Sequence, residues 1–124
     1  MLQKIRGVRQ DEVSRERHWF QDDFFDLFAW TDGAGAFVAF QLCYDRAHRE
    51  RVLAWTQDQE FLHRRIDDGE RTPLKNMSPI LVADGEFDAA RVTAEFTRRA
   101  LQLDGTLREF ILARIAEAAT RAAS

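Results

Sequence analysis

The segment "TDGAG", from Thr31 to Gly35, constrains this chain more than any other stretch. Asp-Gly is among the few dipeptides whose backbone can reverse an antiparallel pair tightly. Before it runs "FFDLFAW", Phe24 to Trp30, ring-rich and free of helix breakers. After it runs "AFVAFQLCY", Ala36 to Tyr44, with large apolar side chains on the even-numbered positions. Period-two alternation on both sides of a turn dipeptide predicts a β-hairpin.

The rest of the first half has the same character. "DRAHRE" is a polar connection to "RVLAWTQ", and "DQE" leads into "FLHRRID", two further predicted strands. "LQKIRGV" is a candidate edge strand. A long polar connection, "DDGERTPLKNMSP", then precedes the short apolar run "ILVA". The second half changes period. Asp88 is placed to cap a helix, with Phe87 and Val92 as a hydrophobic staple. Val92, Phe96, Ala100 and Leu103 hold one apolar face until Asp104-Gly105 stops the helix. Thr106 and Glu109 fit a capping box for a second helix. Its stripe of Leu107, Phe110, Ile111, Ile115 and Ala118 is interrupted by Arg114, and its Ala-rich tail, "AEAATRAAS", is expected to fray. Strands followed by helices give an α+β fold: an antiparallel β-meander of four to six strands, then two C-terminal α-helices packed on one sheet face. At 124 residues with 45% apolar content, the chain reads as one domain, 1–124, with enough interior for its own core.

Charge narrows the function classes. The formal net charge is −3, and basic residues are interleaved with acids, as in "RQDEVSRER". A nucleic-acid binder carries a one-sided basic footprint, so no nucleic-acid partner is expected. No apolar run approaches the roughly 18 residues of a membrane span. The first ten residues lack a secretory apolar core, and Cys43 is the only cysteine, which excludes an intrachain disulfide. A cytoplasmic protein with no membrane partner is the expectation.

Alternation sorts the strands into two faces. Phe25, Leu27 and Ala29 share one with Val38, Phe40, Leu42 and Tyr44, then Leu53 and Trp55, and Leu62 and Ile66 further on. This set is continuous and apolar, and the helices are expected to cover it. The opposite face collects Phe24, Asp26, Phe28 and Trp30, then Phe37, Ala39, Gln41 and Cys43. Val52, Ala54 and Thr56 follow, with Phe61, His63 and Arg65 if the register holds. Rings around a floor of small residues with a few polar groups suit a small-molecule cleft, equally a twofold interface between copies, or an ordinary core covered by the helices on this face instead. Phe24, Phe28, Trp30, Phe37 and Gln41 are therefore the candidate ligand-binding or interface residues.

Asp26, flanked by Phe24 and Phe28, is the candidate acid–base group, with His63 as its counterpart and Gln41 to orient it. A salt bridge from Asp26 to Arg65 is the structural alternative. His18 with Asp22 and Asp23, and His63 with Asp67, have ligand-like spacing only on a helix, and both lie in extended or looped chain. His48 reads as a surface turn residue, and Cys43 as a buried inert thiol. "LVADGEFD" lacks the alternating ligands of a calcium loop. No phosphate-cradling loop, nucleophile elbow or paired-cysteine site occurs, so no metal or cofactor is expected.

Taken together, "RERHWFQDDFFDLFAW", "VAFQLCYDRAHRERVLAW" and "NMSPILVADG" resemble a group of short bacterial α+β proteins that has no assigned activity. The resemblance implies a bacterial protein and brings no site or cofactor. The expected function is that of a small non-enzymatic binding or interaction protein, homodimeric through its aromatic sheet face. The alternative is a small-molecule-binding protein or enzyme using Asp26 and His63.

Overall fold

The computed structural model describes residues 1–7, 10, 15–46, 50–58, 60–65, 80–82 and 87–122. Among the described residues, seven strands run in chain order across one sheet: β1 (Gln3–Lys4), β2 (Glu16–Gln21), β3 (Phe25–Thr31), β4 (Phe37–Tyr44), β5 (Arg51–Thr56), β6 (Glu60–Arg65) and β7 (Ile80–Val82). Strands β1 to β6 form an antiparallel meander, and β7 pairs parallel to β6. Two helices follow, α1 (Ala89–Arg99) and α2 (Gly105–Ala122). This is the expected α+β order. Ile66, Asp67, His48 and the connection after β6 lie outside the described residues.

The acids of "QDDFF" make a turn that the sequence reading did not separate from the strand after it. Asp22 Oδ1 accepts from the Phe24 and Phe25 amides at 2.8 and 2.7 Å, bending the chain between β2 and β3. Its Oδ2 receives Arg99 Nη1 at 3.0 Å, so the same carboxylate ties this turn to the C-terminal end of α1. Arg99 is also held by Glu95 and Asp23. Phe24 is left outside the strand. It stands edge-on to Phe25 and beneath the Arg99 guanidinium, against the helix-side core, not on the opposite face as expected.

The "TDGAG" hairpin forms around Asp32, whose Oδ1 accepts from the Ala34 and Ala36 amides while Gly35 takes a positive φ of 86°. The loop between paired Thr31 and Phe37 is odd-numbered, and a bulge restores parity: Thr31 pairs with Phe37, but Trp30 pairs with Ala39. From Ala39 onward the faces are those expected. Phe37 is turned instead to the helix side, where its ring lies 4.9 Å from Phe110.

The core lies between the sheet and the helices. Phe25, Leu27, Ala29, Phe40, Leu42, Tyr44 and Leu53 meet Val92, Phe96 and Ala100 of the α1 side and Leu107, Ile111, Ile115 and Ala118 of α2. Phe25 and Phe96 meet edge to face at 5.7 Å. Asp88 caps α1 as expected, accepting from the Arg91 amide. For α2 the cap is Asp104, accepting from Thr106 and Leu107, not the Thr106–Glu109 box. Asp104 suffices because its carboxylate already reaches the first unpaired amides. The Ala-rich tail stays helical to Ala122, supported by Arg121 on Glu117. Arg114 has a packing role: its guanidinium lies 5.2 Å from the Phe110 ring and 5.9 Å from Trp55, capping that ring cluster with its charge toward Glu117.

At the β2 edge, the Gln10 side chain accepts from the Arg17 amide at 2.7 Å and donates to the Arg17 carbonyl at 3.0 Å. It thus imitates a residue of a neighbouring strand.

Burial alone would push the Asp22 carboxyl up, but the Phe25 and Phe24 amides and Arg99 outweigh it and hold the group below its ordinary value. A carboxyl more acidic in the folded than in the unfolded chain stabilises fully above the unfolded value, and that contribution is lost as pH falls through the folded one. Asp22→Ala is expected to cost about 2 kcal/mol at neutral pH, as for a hydrogen-bonded buried charge. The variant should also show a flatter loss of stability on acidification below the ordinary carboxyl range of about 4. Urea unfolding of both proteins across that range checks the two effects.

Candidate functional site

The face opposite the helices is the candidate site. Among the described residues, its buried apolar cluster of Cys43, Val52, Ala54 and Leu62 contains no helix residue. Along β2 and β3 this face bears a row of half-buried rings. Trp19 and Phe28, a cross-strand pair, stack with centroids 5.3 Å apart and planes 14° apart. Phe28 and Trp30 continue the row at 6.3 Å and 27°. The Arg17 guanidinium lies 6.0 Å from the Phe28 centroid.

Asp26 stands at one end of this row, only 8% exposed. The Trp19 indole N–H donates to its Oδ1. This bond fixes both side chains: the indole plane is set for stacking, and the carboxylate gains a donor where water is scarce. Phe24 does not flank Asp26, since it turns to the helix side, and the Arg65 side chain lies outside the described residues. The Trp19 donor is legible only once β2 is recognised, because Trp19 and Asp26 are diagonal neighbours across the β2–β3 pair.

Gln41 lies at the middle of β4, in register with Phe28 on one side and Ala54 on the other. It is 3% exposed, and two small residues, Ala39 and Cys43, flank it along the same face.

His63 does not join this face. The register Leu53–His63 and Trp55–Phe61 puts His63 and Phe61 on the helix side, and Leu62 on the outer side. The reason is the connection between paired Thr56 and Glu60, which has an odd number of residues. One residue of slip exchanges the faces of a whole strand. There His63 is fully buried, sharing a 2.5 Å hydrogen bond between its Nε2 and the Tyr44 hydroxyl, and packing 5.0 Å from Phe87. Arg91 braces the same corner. Asp45, in the left-handed region at φ 57°, receives both guanidinium nitrogens at 2.8 and 2.7 Å, and the hydrogen bond with Asp45 pushes the Arg91 pKa up. The sheet therefore stands between Asp26 and His63, and they form no acid–base pair.

The remaining candidates are separated too. His18 Nε2 bonds the Thr31 hydroxyl at 3.0 Å, away from Asp22 and its Arg99 partner. Among the described residues, no three His, Cys, Asp or Glu side chains are grouped to hold a metal ion. No described helix is long and apolar enough to cross a membrane. No protein-family model, curated protein or solved structure matches the chain.

Replacing the indole donor tests how far Asp26 depends on it. Trp19→Phe keeps a ring beside Phe28 but leaves the Asp26 oxygen without that donor, at an expected cost of about 2 kcal/mol. Adding Asp26→Leu should recover most of the loss, since no buried charge then remains. Denaturation midpoints of the single and double variants give the comparison.

Proposed function

We propose that this is a small non-enzymatic binding protein of the bacterial cytoplasm that works through the outer face of its sheet, and that two copies associate there. The Trp19–Phe28–Trp30 row carries the reading. Three pre-aligned rings offer a large contact area while losing little side-chain freedom on binding, which is why such residues dominate interfaces. A twofold pair lays this patch against its own copy, the commonest closed assembly of soluble chains. Asp26 supports binding over catalysis, because one of its oxygens is committed to Trp19. The lone cysteine, which leaves no intrachain disulfide, fits a reducing compartment.

A second reading, small-molecule binding on the same face, is favoured by one specific observation, the buried amide of Gln41. An enzyme that uses Asp26 and His63 together is not supported, since they face opposite ways.

Sedimentation velocity over a wide concentration range tests the association. A dimer is expected, with Trp30→Ala weakening it by at least about tenfold, as for an interfacial ring. Leu101→Ala, an exposed apolar residue between the helices, should leave association unchanged. A wild-type protein that stays monomeric throughout overturns the homodimer.

A further inference from the structure

We infer that the buried Tyr44–His63 pair is an acid-sensitive latch, which holds the entry of α1 to the sheet while His63 is neutral and releases it when the imidazole takes a proton. This latch lies on the helix side of the sheet, whatever the outer face contacts.

The imidazole is seated where a charge is costly. His63 is fully buried on β6, and its Nε2 shares a hydrogen bond with the hydroxyl of Tyr44, itself fully buried. The two rings stack with centroids 5.9 Å apart and planes 22° apart. A neutral imidazole nitrogen can accept the phenolic hydrogen, whereas an imidazolium only donates. Protonation therefore sets two donors against each other in the core. The Tyr44 hydrogen must find another acceptor, and the ring must hold its charge away from water.

The charged groups around the pair act in the same direction. From β5, Arg51 is paired with Tyr44 and diagonal to His63. From α1, the Arg91 guanidinium lies 5.9 Å from the Tyr44 ring centroid. From α2, Arg121 lies 5.5 Å from the centroid of Phe61, the residue before His63 on the same face of β6. The acids here answer these arginines: Asp45 and Asp88 are turned to Arg91, and Glu117 to Arg121. The third neighbour, β7, is the apolar run Ile80–Val82. Among the described residues, then, a proton on His63 adds a cation beside Arg51, Arg91 and Arg121.

What rests on the pair is the start of α1. The Phe87 ring lies 5.0 Å from His63 and 6.5 Å from Tyr44, and Phe87 immediately precedes Asp88, the cap of that helix. Hydrating a charged imidazole on this side means lifting Phe87, and the first turn of α1 moves with it. The far end of the helix is tied by Arg99 to Asp22, whose carboxyl is held below its ordinary value and so stays charged while a histidine titrates. In the unfolded chain His63 titrates near about 6.5. The unfolded chain therefore binds the extra proton, and stability present at higher pH is lost as pH falls below that value.

Urea unfolding of the full chain at about pH 7.5 and 5.5, beside His63→Gln, tests this. Glutamine still accepts from Tyr44 but takes no proton, and a constant loss cancels when each protein is compared with itself. The folding equilibrium constant of the wild type should fall about tenfold more than that of the variant over this range. An equal fall in both overturns the inference. Imidazole NMR of the wild type needs no variant: His63 should be neutral in the folded chain at the lower pH, and an imidazolium there overturns the latch. Hydrogen exchange locates the release. The Val92 amide, bonded to the Asp88 carbonyl, should lose about tenfold in protection over the same range, and should exchange faster than global unfolding permits. Protection that ignores pH, or that equals the global constant, overturns release short of unfolding.

Discussion

A strand residue has two directions available to its side chain, and in this sheet the connections between strands decide which one it takes. Parity is the governing constraint. The bulge at Val38 compensates an odd hairpin loop and keeps Leu27, Phe40 and Leu42 on one side with Leu53. The odd connection after Thr56 then brings Phe61 and His63 to that same side. The helices meet the larger apolar core on one face, while the other carries rings, two polar side chains and a smaller buried cluster of its own. Every functional statement about Asp26, Gln41 or His63 follows from which side of that division it occupies.

Holding the helical layer at the right place is the task of two polar clamps at one end of the strands. Asp22 and Arg99 join the β2–β3 turn to the end of α1, and Asp45 and Arg91 join the end of β4 to its beginning. Both arginines also lie over the Phe24 ring, so each clamp gains packing as well as charge. Between the two clamps the apolar face of α1, Val92 to Ala100, is laid along the sheet with its register fixed at both ends. Apolar contact alone is non-directional and would tolerate sliding; paired guanidinium–carboxylate geometry does not.

The sequence reveals the periodic features well, and for a physical reason. Alternation from Ala39 to Tyr44 and the helical spacing of Val92, Phe96, Ala100 and Leu103 are imposed by burial, so both are visible in composition. Single-residue events are not. A bulge at Val38, an Asx turn at Asp22 and a three-residue connection beyond Thr56 change direction without changing hydrophobicity. Phe37, Phe24 and His63 were misplaced for those three reasons respectively. Asp26 and Gln41 were assigned to the right face because they lie where parity had been restored. The aspartates that look incongruous among six rings divide their work accordingly. Asp22 and Asp23 belong to a turn and its arginine, and Asp26 belongs to Trp19.

The side chain of Gln10 standing in for a strand beside Arg17 has a further consequence. Together with β1, whose bonds reach Phe20 and Gln21, and the Ile5 amide on the Trp19 carbonyl, it occupies main-chain groups that a stray extended segment would otherwise template upon. That flank is thus sealed against lateral growth of the ribbon. An extended partner segment is thereby kept from adding to the sheet along this flank.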